Sequence, residues 1–207
     1  MRVEPITPAL LVDRLVARID GIGPDRTRVL LDGAPPARPE QLATALADPL
    51  RARGRPVVVV HAADFLRPAS LRLEYGRRDP DSYYDGWLDA AGLVREVLAP
   101  LGPDGSGRYL PTLWDVDADR ATRARYRAAP AGAVLLLEGD LLLGRGLPAE
   151  LTVHLDVSPA VLARRLDPDA AWTLDAYRRY AEEVAPRGTA DVAVRYDDPD
   201  HPALIVG

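Results

Sequence analysis

The sequence predicts an α/β domain: a five-stranded parallel sheet flanked by helices, in three layers, with a β-hairpin as an insertion. Apolar strands alternate with amphipathic helical stretches along the chain, the order expected of strand–helix–strand units. Three strands, "PVVVVH" (56–61), "AVLLLEGD" (133–140) and "LTVHLDV" (151–157), are nearly continuous apolar runs. Runs of that kind belong to strands covered on both faces. At 207 residues and 47% hydrophobic content the chain is long enough to bury one core without disulfides.

The elements follow in order. Thr7 and Pro8 suit the cap and first position of a helix that ends near Gly21 or Gly23. Residues 28–32 form a short apolar strand, and a helix from Pro39 to Arg53 stops at Gly54. A helix is expected over 85–98, then an alternating strand in "RYLPTLWDV" as one arm of the hairpin. Ser158-Pro159 opens a short helix, 173–184 is another, and "DVAVRYDD" is the last strand. No repeat or long linker divides the chain, so residues 1–207 read as one domain.

Composition narrows the function. The formal charge of −5 argues against a nucleic-acid partner, since phosphate neutralisation needs a basic face. No cysteine is present, which removes thiolate catalysis and cysteine-held zinc. The first twenty residues carry charges at helical spacing, so they read as neither signal peptide nor membrane span, and the cytoplasm is expected. All 26 basic residues are arginine. His61, His154 and His201 fall in no metal-like or triad-like spacing, and His154 reads as a core histidine.

In open α/β sheets ligands bind beyond the carboxyl ends of the strands. Those ends are "LLDGAPPARPE", "VVVHAADFLRP", "LLLEGD" and "LTVHLDVSP", which put Asp32, His61 and Glu138 on one edge. The first has the strand–turn–helix form of a phosphate-binding loop. Such a loop needs glycine, lysine and serine or threonine at its end, where this chain has Arg38, Pro39 and Glu40. Pro39 and Glu40 suit a helix start, the carboxylate complementing the helix dipole.

Taken in order with "RRDPDSYYDGWLDAAGL", "LGPDGSGRYLPTLWD" and "ADVAVRYDDP", these segments resemble the uridine kinase family of P-loop nucleoside kinases. The resemblance runs from about Arg28 to Pro202. It implies the P-loop NTPase-like fold and phosphoryl transfer from magnesium-ATP to a nucleoside hydroxyl. Gly33 matches the first glycine of the loop. The second glycine and the lysine are replaced by Arg38 and Pro39, and the magnesium-binding hydroxyl by Glu40. Glu138 stands where the family has an acid after its third main strand. The family's catalytic aspartate falls on Ala63, with Asp64 one residue on; Asp64 is a candidate base or magnesium ligand, or a turn aspartate before Pro68. On the acceptor side Tyr84 would stack on a base and Asp85 would bind ribose hydroxyls, with Arg67, Tyr109 and Trp114 as walls. Tyr83, Tyr84 and Trp87 equally suit core aromatics at a helix start. Arg164 and Arg165 are what remains of an arginine-bearing lid, or solvated helix residues.

Three functions are therefore expected. One is a protein with a decayed ATP site and a nucleoside-like small-molecule pocket, with little or no kinase activity. Another is an active kinase using magnesium-ATP, Arg38 and Asp64. The third is a protein-binding scaffold.

Overall fold

The computed structural model describes residues 2–206. The chain opens with strand β1 (Arg2–Pro5), helix α1 (Pro8–Asp20), β2 (Thr27–Gly33), α2 (Pro39–Ala52) and β3 (Val57–His61). Three short helices follow: α3 (Ala69–Arg72), α4 (Pro80–Gly86) and α5 (Ala90–Leu93), the last running into a π-helical turn at Val94–Leu98. The hairpin consists of β4 (Arg108–Tyr109), β5 (Trp114–Asp115), β6 (Arg120–Ala121) and β7 (Arg127–Ala128). Its outer pair is β4 with β7 and its inner pair β5 with β6, both antiparallel. Strands β8 (Val134–Gly139) and β9 (Leu151–Asp156) precede helices α6 (Pro159–Arg165), α7 (Leu174–Glu183) and α8 (Pro186–Thr189). Strands β10 (Val192–Arg195) and β11 (Ala203–Val206) come last.

The main sheet has the order β1-β11-β10-β9-β2-β8-β3. Its five strands from β10 to β3 are parallel, as the apolar runs require. Strand β2 lies at the centre, between β8 and β9. The chain leaves β2 for β3 on one side, returns through β8, and crosses to β9 on the other. That reversal opens a crevice at the carboxyl end of β2.

Alternate residues of the strands feed two cores. Leu30, Leu135 and Leu137 pack with Phe65, Leu93 and Val97 on one face. Val29, Leu31 and Leu136 pack with Leu15, Leu42 and Leu46 of α1 and α2 on the other. Helix α1 begins as its sequence dictates, with the Thr7 hydroxyl accepting from the Leu10 amide at 3.2 Å.

Three elements differ from expectation. The 56–61 run is an edge strand, paired only with β8, so its exposure alternates and Val59 stays 37% exposed. The expected helix over 85–98 is broken. Helix α4 ends at Gly86, Leu88 bridges to Leu66, and Asp89 caps a new helix by accepting from the Gly92 amide at 2.9 Å. Strands β1 and β11 extend the sheet by two antiparallel members, each completing the other's hydrogen bonds.

The far end of the sheet is closed by an arginine. Arg55 is 7% exposed and donates to the carbonyls of Gly132 (2.7 Å), Gly23 (2.7 Å) and Asp25 (2.8 Å), and to the Thr27 hydroxyl (3.1 Å). Arg55→Met keeps much of the aliphatic stem but strands these acceptors. It should lower unfolding stability by roughly 2–4 kcal/mol, from the ~1–3 kcal/mol cost of each buried unsatisfied group. The check is the urea midpoint at unchanged slope.

Candidate functional site

The turn at the end of β2 is wound tight. Pro35–Ala37 form a 3-10 turn, in which the Ala37 amide donates to the Ala34 carbonyl (2.7 Å) and the Arg38 amide to the Pro35 carbonyl (3.0 Å). Arg38 is left-handed, at φ 52°, the conformation for which glycine is the usual residue. Pro39 then opens α2, and the Gln41 amide donates back to the Arg38 carbonyl (2.9 Å). Gly33 has no room for a side chain, because a Cβ there would stand 3.0 Å from that of Leu155 and 3.3 Å from that of Ala37. An incoming phosphate meets no lysine, no hydroxyl at the helix start, and no N–H from Pro35, Pro36 or Pro39. The amides of Ala37, Arg38 and Gln41 are already engaged. Arg38 and Glu40 are exposed.

Acids crowd the neighbouring strand ends. His61 and Glu138 are paired in register at the ends of β3 and β8, and His61 Nδ1 bonds the Glu138 carboxylate. Burial raises Glu138 above the usual carboxylate range. The His61 hydrogen bond and charge oppose that rise, while Glu40 and Asp140 add to it. Asp64 sits in the 3-10 turn after β3 and is also raised, first by burial, with the His61 charge and a bond to Thr112 pulling the other way. Ala63, the position of the expected base, is exposed beside it. Asp32, His61 and Glu138 thus share one edge of the sheet. Among the described residues no group of three or more His, Asp or Glu side chains is disposed to hold a metal ion.

The acceptor-side residues lie where α4 meets α7. Tyr84 is 9% exposed, edge-on to Tyr180, with the Arg179 guanidinium 4.4 Å and that of Arg145 5.7 Å from its ring centre. Asp85 is exposed and bonds Arg179 at 2.7 Å; Arg179 also reaches Asp81 at 3.0 Å. Behind them Tyr83 and Tyr177 both donate to Asp140 Oδ2, at 2.5 and 2.6 Å. Burial lifts the Asp140 carboxyl, against these two bonds. Tyr83 meets Trp87 and Trp172 edge to face. Arg67 is half-buried, its amide bonded to the Trp87 carbonyl at 2.8 Å, and Tyr109 is buried at the hairpin base. Trp114 is half-exposed, with its indole N–H on Asp119. Arg164 and Arg165 are exposed in the last turn of α6.

The structure adds residues that sequence reasoning passed over. Arg179 links the expected Tyr84 and Asp85, and its only sequence signal was a place on a helix after the lid position. Asp140 was visible only as the acid two residues past Glu138. His154, read as a core histidine, does lie in the core, bonded to Asp32 (2.6 Å).

Solved structures give the fold a context. A protein described as a possible uridine kinase, from Bacillus stearothermophilus, matches at 22% identity with a TM-score of 0.71, over 88% of this chain and 96% of that one. A protein provisionally called a fructose transport system kinase, from Silicibacter sp. TM1040, matches at 26% identity with a TM-score of 0.66, over 91% and 98%. No protein-family model matches the chain, and no curated protein matches it. No helix among the described residues is long and apolar enough to cross a membrane.

The raised carboxyl of Glu138 has a pH signature. Its folded pKa lies above its unfolded value, so the folded state holds the proton longer. That contribution favours folding below the unfolded pKa and is lost as pH rises through the folded one. Glu138→Gln should therefore melt higher than the parent at pH 7, with the gap closing near pH ~4, the unperturbed carboxylate range. Melting temperature against pH reads it, and a gap that widens on acidification would contradict the assignment.

Proposed function

We propose that this chain, which has the fold of the uridine kinase-like P-loop kinases, binds a nucleoside-like small molecule at the carboxyl edge of its sheet and transfers little or no phosphate to it. The observation that carries the reading is the 33–40 turn. Its amides at Ala37, Arg38 and Gln41 are spent on its own carbonyls, and three prolines supply none. Phosphoryl transfer rests on a backbone cradle, a lysine on the phosphates, a hydroxyl on magnesium and a base on the acceptor. The turn matches the first three poorly, and Glu40 and Glu138 add negative charge where phosphates would lie. These residues do not fit magnesium-ATP.

The ligand would enter beside Tyr84, with Asp85 taking hydroxyl donors and Arg67 and Tyr109 as walls. Arg179 holds Asp85 through Oδ2, which leaves Oδ1 for a ligand hydroxyl. One observation favours active kinase chemistry instead: Asp64 has a raised carboxyl, as a general base requires, at the edge where Arg38 could stand in for the lysine.

Calorimetry with magnesium-ATP and a panel of nucleosides tests the reading. ATP should bind on the order of millimolar or weaker, against micromolar for a working site. Ordinary turnover by the unmodified protein would promote Arg38 and Asp64 to catalytic residues.

Restoration is a second test. Arg38→Gly with Pro39→Lys and Glu40→Thr should restore magnesium-ATP binding, and Arg38→Gly also relieves a left-handed side chain at a cost of roughly 1–2 kcal/mol. Transfer should appear only when Ala63→Asp is added, because a missing base costs ~10²–10⁴-fold in rate. Single-turnover assays of the triple and quadruple variants separate the two steps.

A further inference from the structure

A cavity lies beside the end of β2, between the α7-side face of the sheet and helices α6, α7 and α8. Its volume is about 710 Å³, inside the range of roughly 300–1,000 Å³ typical of small-molecule sites. Only Ala34 of the turn reaches it. Its walls are mostly apolar, among them Val157, Leu162, Leu174 and Ala181. Its polar floor is made by His154, Asp156 and Arg187 with Asp32 and Tyr180, while Asp175, Arg178 and Glu182 of α7 also line it.

The hydrogen bonds fix what that floor presents. Asp32 is fully buried, and its two oxygens accept from the Leu142 amide (2.8 Å), the Tyr180 hydroxyl (2.9 Å) and His154 Nδ1 (2.6 Å). His154 therefore donates through Nδ1. In the neutral ring that leaves Nε2 as an acceptor. Nε2 is 3.9 Å from Asp156 Oδ1, beyond hydrogen-bond reach, so the two stand as neighbouring acceptors without satisfying each other. Arg187 Nε donates to Asp156 Oδ1 at 2.7 Å and leaves its terminal nitrogens as donors on the same floor. His154 is 8% and Asp156 7% exposed, so a ligand group meeting them is shielded from water.

We infer that this cavity binds a flat, amino-substituted heteroaromatic ring of the aminopyrimidine class, its amino groups donating to His154 and Asp156 and a ring nitrogen accepting from Arg187. The apolar walls suit the faces of a ring. A polyol of the same size would leave most of its hydroxyls against leucine, valine and alanine, which is costly. The inference does not rest on how the turn is read, because of the turn's residues only Ala34 lines the cavity.

The test is methyl NMR with 2,4-diaminopyrimidine as probe and D-ribose as polyol control. The parent protein should give saturable shifts at the Leu162, Leu174 and Ala181 methyls with the probe and none with ribose. Asp156→Asn removes the charged acceptor at nearly constant volume and should weaken binding by about tenfold or more. Ala181→Trp and, separately, Ala163→Trp place a large side chain in the cavity from exposed helix positions, and each should abolish the shifts. The inference is overturned if the probe gives no saturable shift at these methyls, if both tryptophan variants bind like the parent, or if ribose binds as well as the probe. Magnesium-ATP binding at the turn would sink the proposed function and leave these readouts unchanged.

Discussion

The carboxylate of Asp32 is the knot on which the carboxyl edge of the sheet depends. A buried charge is expensive unless every lone pair finds a donor. Here the donors come from three places: the backbone after β8, His154 on β9 and Tyr180 on α7. One side chain at the end of the central strand thus fixes two neighbouring strands and a covering helix at one point. The Tyr180 hydroxyl also accepts from the Leu143 amide at 3.0 Å, which ties the segment after β8 to α7 a second time. With α7 anchored there, Tyr177 can reach Asp140 and Arg179 can reach Tyr84 and Asp85. The floor of the cavity under α6, α7 and α8 is the other side of the same knot.

Beside this rigid centre, the turn after β2 has been shaped as a helix start. Proline at the first helical position and a carboxylate in the first turn are what α2 needs from its N-terminus. The same choices remove an N–H and add negative charge where a phosphate would want the opposite. Arg38 has the left-handed backbone for which glycine is the usual residue, and the amides around it donate to carbonyls of the turn itself.

Most of the sheet was legible because each parallel strand is a local run of apolar residues, and burial on two faces leaves that mark. The edges were not. "PVVVVH" has the same composition as a central strand, and only the absence of a neighbour beyond β3 makes Val59 exposed. Strands β1 and β11 are four residues each, and what makes them strands is one another, some two hundred residues away. The break after Gly86 depends on Asp89 capping and on Leu88 meeting Leu66, one local signal and one distant contact. At the edge itself, Arg38, Pro39 and Glu40 could be set position by position against the needs of a phosphate-binding loop. The bonds from His154 to Asp32 and from Arg179 to Asp85 could not, because they join residues 122 and 94 positions apart.

Arg179 has a consequence beyond its contacts. It holds α4 to α7 through Asp81 and Asp85, whose side chains are 76% and 59% exposed. Exposed ion pairs are each worth at most about 1 kcal/mol, and mobile ions screen them over ~8–10 Å at physiological strength. The outer contact between α4 and α7 at Tyr84 therefore weakens with ionic strength, while the tyrosines on Asp140 behind it are shielded. Dissolved salt loosens the outer contact and leaves the buried one alone.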